Sequence, residues 1–418
     1  MEQKSETIIR KTKILEALEN EHTSVSFNDP LESEMILNMG PQHPATHGVL
    51  RLLIKLDGET VLASVPELGY LHRGYEKLAE NCSFHEFIPH TDRLDYLSPL
   101  SNNTAYVLAV EKLLGIEAPP RTQYIRTLIS ELARISSHLM FLGSLAMDVG
   151  ALTVWMWSFR EREKLYDIFE KIAGARFTTS YTRIGGLAQD VTQETLGIIH
   201  LFIDELPEKI RECEKLLNTN NIFLGRVDGV GPISKEQAID LGLTGPCLRA
   251  CGVELDLRRA NPYLVYSDLD FNIPIYEGGD CLARYYVRMA EIKESIKIVR
   301  QVLEKMPAGD VKAAQPKKVL PGKHQVYTKM EELIHDFMLV NFGVEPPKGE
   351  VYHAVEAPKG ELGFYIYSNG EGQPWRMKIR SPSFVNLQSI STMIKGAMIS
   401  DVVAVIGSLD PVMGEADK

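Results

Sequence analysis

The sequence predicts an α+β fold with an N-terminal antiparallel β hairpin or sheet, a central helix bundle and a small C-terminal α/β lobe. Two apolar runs flank a turn dipeptide early in the chain, long segments of three-to-four spacing fill its middle, and alternating segments return near its end. With 418 residues, 44% of them hydrophobic and 24% charged, the chain buries a large core in two or three joined lobes.

Residues 1–33 form an expected N-terminal arm. Met1–Glu21 mixes Lys, Arg and Glu with short apolar pairs, without the apolar core of a secretion signal or the acid-poor character of a transit peptide. That pattern reads as a bacterial protein of the cytoplasmic side. In the β region, 34–66, the runs Val49–Leu56 and Thr60–Val65 flank Asp57-Gly58, a strong hairpin signal.

Helical spacing begins after Pro66 and defines the central bundle, 67–309. Pro119 and Pro120 open a helix in which Ile125, Leu128, Leu132, Ile135, Leu139 and Leu142 recur every three or four residues, and proline in a first turn removes no helical hydrogen bond. Further helices are expected at Thr153–Ala173, Thr192–Leu217, Asp280–Met306 and Thr328–Asn341. Leu139–Trp157 carries a single charge, Asp148, and is interrupted by Gly143 and Gly150, so it reads as a buried core helix rather than a membrane span. In the C-terminal lobe, 310–418, Asp310–Lys323 is a connecting loop. Glu350–Glu356, Glu361–Ser368 and Trp375–Ile379 alternate as strands, and Ser383–Lys395 reads as a helix.

Charge and cysteine usage exclude several functions. A net charge of -11 disfavours nucleic acid and anionic lipid, so no nucleic-acid partner is expected and any membrane attachment should come through partner proteins. Five scattered cysteines imply no disulfide framework, and Cys247 and Cys251, without a second pair, read as buried structural thiols. Gly225, Gly229 and Gly231 match neither nucleotide-binding glycine motif, so any NADH is bound by another chain.

Three segments carry candidate chemistry. In Gly40-Pro41-Gln42-His43-Pro44-Ala45-Thr46-His47-Gly48 two histidines stand four apart, but Pro44 holds His43 extended and destroys the helical geometry of a zinc pair. A rigid loop tip remains, a common kind of binding site; the alternative is a tight turn whose histidines satisfy local hydrogen bonds. Asp148, in its apolar stretch, needs a partner or a proton, or else caps the Gly150 turn. In the run Pro89–Ser98, Tyr96 either donates a proton or is a core tyrosine with a satisfied hydroxyl.

These segments belong to a longer series. GPQHPATHGVLRL, GYLHRGYEKL, RLDYLS, AMDVGALT, SYTRIGG, LGLTGP, RSPSFVNLQS and SLDPVMGEADK resemble, in this order, the D-subunit family of respiratory complex I, the proton-pumping NADH:quinone oxidoreductase. The resemblance runs from Asn38 to the end. It implies a translocase component in the peripheral arm that forms the quinone headgroup site with the B subunit. By the same resemblance His47 and Tyr96 are quinone ligands, Asp148 pairs with His47, and Arg93 lies beside a tetranuclear iron–sulfur cluster held by the B subunit. This chain alone would bind no cofactor, with NADH and flavin on other subunits. Partners would be the B, C and I subunits and the membrane-embedded H subunit, on the cytoplasmic side of a bacterial inner membrane. The headgroup contacts suit ubiquinone and menaquinone alike.

The family shares ancestry with the nickel–iron hydrogenase large subunit, which implies a similar fold and offers an alternative function. Where those enzymes place metal-binding thiolates this chain has Asp95, Ser98, Val412 and Glu415, so neither nickel nor iron is expected and the old cavity suits an organic headgroup. A related oxidoreductase with another electron donor and an inert docking scaffold are the other readings. One departure stands out: many members carry a histidine where this chain has Thr178.

Overall fold

The computed structural model describes residues 34–315 and 317–418, and the expected arm, 1–33, lies outside the described residues. Strands β1 (Glu34–Met39), β2 (Arg51–Asp57) and β3 (Thr60–Glu67) form an antiparallel sheet in the order β1-β2-β3. Its alternation puts Leu52, Ile54 and Leu56 in the core, and Gly58, at φ 58°, supplies the positive φ that the two-residue turn requires.

The bundle is built on α1 (Pro99–Leu114), α2 (Pro120–Asp148), α3 (Leu152–Ala173), α4 (Gln193–Asn218) and α5 (Cys281–Lys305). The apolar stripe of α2 is buried as its spacing predicts, but so is most of its polar face. Arg126 pairs with Glu111 of α1 at 2.7 Å and His138 with Glu291 of α5 at 2.7 Å. Glu131 is held below the ordinary carboxylate range: burial opposes this, and Arg134 and Arg258 outweigh it. Buried pairs of this kind add little net stability over apolar packing, but losing one partner is expensive.

Two expectations are corrected. Leu139–Trp157 is not one core helix, because α2 ends at Asp148 and the chain turns through Gly150 at φ 93° before α3 starts at Leu152. The amides of Val149 and Ala151 close back on the carbonyls of Leu145 and Ala146, so the turn is satisfied by backbone alone. Among the described residues no helix is long and apolar enough to cross a membrane. Ser383–Lys395 is likewise two helical pieces, α7 (Pro382–Gln388) and a short turn Ile390–Met393, while α6 (Met330–Phe342) precedes the second sheet. The two pieces part at Ser389, whose hydroxyl donates to the Asn386 carbonyl at 2.6 Å.

The C-terminal lobe holds that second antiparallel sheet, β4 (Gly349–Ala357), β5 (Gly360–Ser368) and β6 (Arg376–Arg380). The chain then re-enters the bundle as α8 (Ile399–Leu409) and the single turn α9 (Met413–Ala416). Nearly every residue from Ala404 to Asp417 is buried, which brings the tail under the loop that follows β1.

Candidate functional site

The loop between β1 and β2 is tied to itself. The Thr46 amide and hydroxyl both donate to the His43 carbonyl, at 3.1 and 2.7 Å, closing one helical turn over Pro44–Thr46. His47 then takes a left-handed conformation, φ 49°, uncommon outside glycine. His43 is exposed and His47 half-buried, so the two histidines do not form a metal pair. Instead His47 Nε2 meets Asp148 Oδ2 at 2.8 Å, with side-chain exposures of 14% and 9%.

Asp148 is the last residue of α2, where the negative end of the helix dipole disfavours a carboxylate. It does not cap the following turn, since the Gly150 amide donates to the Met147 carbonyl. The imidazole of His47 is its hydrogen-bond partner among the described residues.

Tyr96 lies in the loop before α1. Buried Asn102 fixes that loop by donating to the carbonyls of Asp95 and Thr91, at 2.9 and 3.1 Å. The Leu97 amide donates to Asp95 Oδ1 at 3.1 Å. The ring of Tyr96 is half-buried against Phe177, at 6.2 Å between centroids. Burial, and after it the Asp95 carboxylate, pushes the phenol above its ordinary value. Among the described residues its hydroxyl has no hydrogen-bond partner, which departs from the core-tyrosine alternative. Arg93 is surface-exposed, donates to the Pro89 carbonyl at 2.5 Å, and lies 3.5 Å from buried Asp92, whose carboxyl burial pushes up to about 7.

Asp95, Ser98, Val412 and Glu415 are all nearly inaccessible, and the first and last of them face an ammonium group. Lys359, at the β4–β5 turn, donates to Ser137 Oγ at 2.9 Å and to Asp410 Oδ2 at 3.0 Å, and stands 3.6 Å from Asp95 Oδ2. Burial lowers the affinity of Lys359 for its proton, but Asp410 and Asp95 outweigh it and hold the group above its ordinary value. Glu415 accepts from the Ser383 hydroxyl at 3.0 Å; burial first, then Asp95, pushes it up to about 7. Carboxylates and hydroxyls are hard donors and a protonated lysine is no donor at all, so these residues are unsuited to soft metals. Among the described residues no group of three or more His, Cys, Asp or Glu side chains is arranged to hold a metal ion. No local pattern points to Lys359, because a lysine at a hairpin tip is ordinarily solvated.

The raised Glu415 has a measurable consequence. Between pH 4.5, where the unfolded chain releases this proton, and about 7, where the native chain does, unfolding releases a proton and stability falls as pH rises. Glu415→Gln should flatten that fall, removing at most roughly 3 kcal/mol of pH-dependent destabilisation. Thermal unfolding of the purified protein across this range checks it, and an unchanged slope would overturn the assignment.

Fold and site together define a class: a helix-bundle protein whose N-terminal loop packs against its C-terminal tail beside buried ion pairs. A family described as "Respiratory-chain NADH dehydrogenase, 49 Kd subunit" matches residues 148–418. The chain is 60% identical to the D subunit, form 1, of the NADH-quinone oxidoreductase of Chloroherpeton thalassium, over 98% of this chain and 93% of the relative. It is 53% identical to the NADH-quinone oxidoreductase D subunit of Salinibacter ruber, over 97% and 94% respectively, and 55% identical to that of Methylacidiphilum infernorum, over 93% of each. The chain belongs to this family of complex I subunits.

Proposed function

We propose that this chain is the quinone-site subunit of a proton-translocating NADH:quinone oxidoreductase. The observation that carries the reading is the 2.8 Å contact between His47 and Asp148, residues of distant segments that meet beside Gly407 of α8. The names of the relatives support the reaction, since each is called an NADH-quinone oxidoreductase subunit.

The quinone carbonyl oxygens accept hydrogen bonds from the Tyr96 hydroxyl and the His47 imidazole. Reduction to quinol takes two electrons and two protons. The protons come from these two groups, and an iron–sulfur cluster held by the B subunit near Arg93 would supply the electrons. An imidazolium gives up a proton more readily than a phenol, so a protonated ring is the easier donor of the two. Once His47 has given up its proton, Asp148 is left with an unpaired charge at a helix C-terminus, an electrostatic change able to drive a conformational step toward proton pumping. The B, C and I subunits and the membrane-embedded H subunit are the partners, and the last of these provides attachment at the cytoplasmic face of a bacterial inner membrane. NADH and flavin bind to other subunits. Thr178, at φ 53°, stands where many members of the family carry a histidine, so at that position no imidazole is available to couple its protonation to a neighbouring cluster.

The purified complex should reduce a short-chain quinone with NADH, and a photoreactive quinone analogue should label this chain. Labelling confined to other subunits would sink the quinone-site reading, and stoichiometric nickel in the pure chain would revive the hydrogenase alternative.

A further inference from the structure

Helix α8 passes behind the histidine–carboxylate pair with a glycine at the point of contact. A β-carbon at Gly407 would stand 2.9 Å from Asp148 Oδ2, 3.3 Å from Leu145 Cδ1 and 3.7 Å from His47 Nε2. Its three nearest neighbours are therefore the two partners of the pair and the helix that carries one of them. Gly407 lies within α8 and is not at positive φ, so its own backbone does not call for glycine, and only proline is a poorer helix former. The contact accounts for the residue where local structure does not.

α8 has little room to retreat from a larger side chain. Two fully buried arginines of α5 pin its last turn from the other side. Arg284 Nε donates to Ser408 Oγ at 2.9 Å, and Arg288 donates to the carbonyls of Ser408 and Leu409 at 2.8 and 3.4 Å. With the backbone held from behind, the group free to give way is the end of the Asp148 side chain.

We propose that Gly407 is a positioning residue for the His47–Asp148 pair: the missing side chain leaves the space in which the carboxylate closes on the imidazole. This rests on the reading of that pair as a proton-delivering unit. Gly407→Ala tests it in the assembled complex. Alanine suits a helix better than glycine, and the nearest atom is the tip of a flexible side chain, so the fold is kept while the carboxylate is displaced. With NADH and a short-chain quinone, kcat per assembled complex should fall about tenfold while KM stays within about twofold, as for a geometry needed at the reacting step. NADH oxidation by an artificial acceptor upstream should be unchanged, and Gly407→Ser should lose at least as much. In an Asp148→Asn background, Gly407→Ala should have a much smaller effect.

Normal turnover in Gly407→Ala beside an impaired Asp148→Asn would overturn the proposal and leave the reading of the pair standing. Equal fractional losses in the two backgrounds would overturn it too, since the glycine would then act elsewhere. Normal turnover in Asp148→Asn itself would remove the reading of the pair and this proposal with it.

Discussion

Tyr96→Phe is expected to lower quinone reduction about a hundredfold, the usual loss when a donor aimed at developing negative charge is removed. Assembly should survive, because the phenyl ring keeps its place against Phe177 and beside Gly414. No buried group is orphaned either, since the tyrosine hydroxyl has no hydrogen-bond partner among the described residues and its loss strands nothing. The two halves of the prediction are measured together: quinone turnover falls, while NADH oxidation by an acceptor upstream of the quinone stays at the wild-type rate. Unchanged turnover with every short-chain quinone tested would return Tyr96 to the role of a packing residue.

What the sequence reveals of this fold follows the range of the forces involved. The Asp57-Gly58 hairpin and the helix opened by Pro119-Pro120 rest on φ preferences and on spacing within a few residues, and both stand in the structure. The break between α2 and α3 shows in the sequence only as Gly150, set against the continuous hydropathy of Leu139–Trp157. A left-handed glycine ends the helix there, although apolar side chains continue on both sides of it.

The site is legible in a different way. His47, Tyr96 and Asp148 are candidates because each is a polar group in a distinctive setting, in a proline-fixed loop, before an apolar helix, or inside an apolar stretch, and the roles proposed for them come from the family resemblance. The residues that hold them do not. Lys359 is buried by a turn that comes back from the second sheet, and Gly407 matters through the helix end it faces. Arg284 and Arg288 act through groups more than a hundred positions away. Such contacts depend on tertiary placement, which local pattern does not encode. The left-handed conformation of His47, φ 49°, is not legible in local pattern either.

The His47–Asp148 pair carries the second large effect, and a double-mutant cycle isolates it. Asp148→Asn keeps the shape of the side chain and removes its charge; a carboxylate holds an imidazolium by both charge and hydrogen bond, whereas an amide retains only the second. Low exposure, 14% and 9%, leaves little solvent to replace what is lost. Asp148 also sits where the α2 dipole already opposes it, so the imidazole is its main source of stabilisation. Each single change, Asp148→Asn and His47→Ala, should therefore lower quinone turnover by about tenfold or more, as loss of a positioned general acid does. Combined, they should cost far less than the product of the two losses, because either one alone already breaks the unit. A coupling of roughly 1 kcal/mol or more is the expected result for residues in direct contact. Losses that simply multiply would mean that the two side chains act separately, and the 2.8 Å contact would then be a structural pairing with no part in proton delivery.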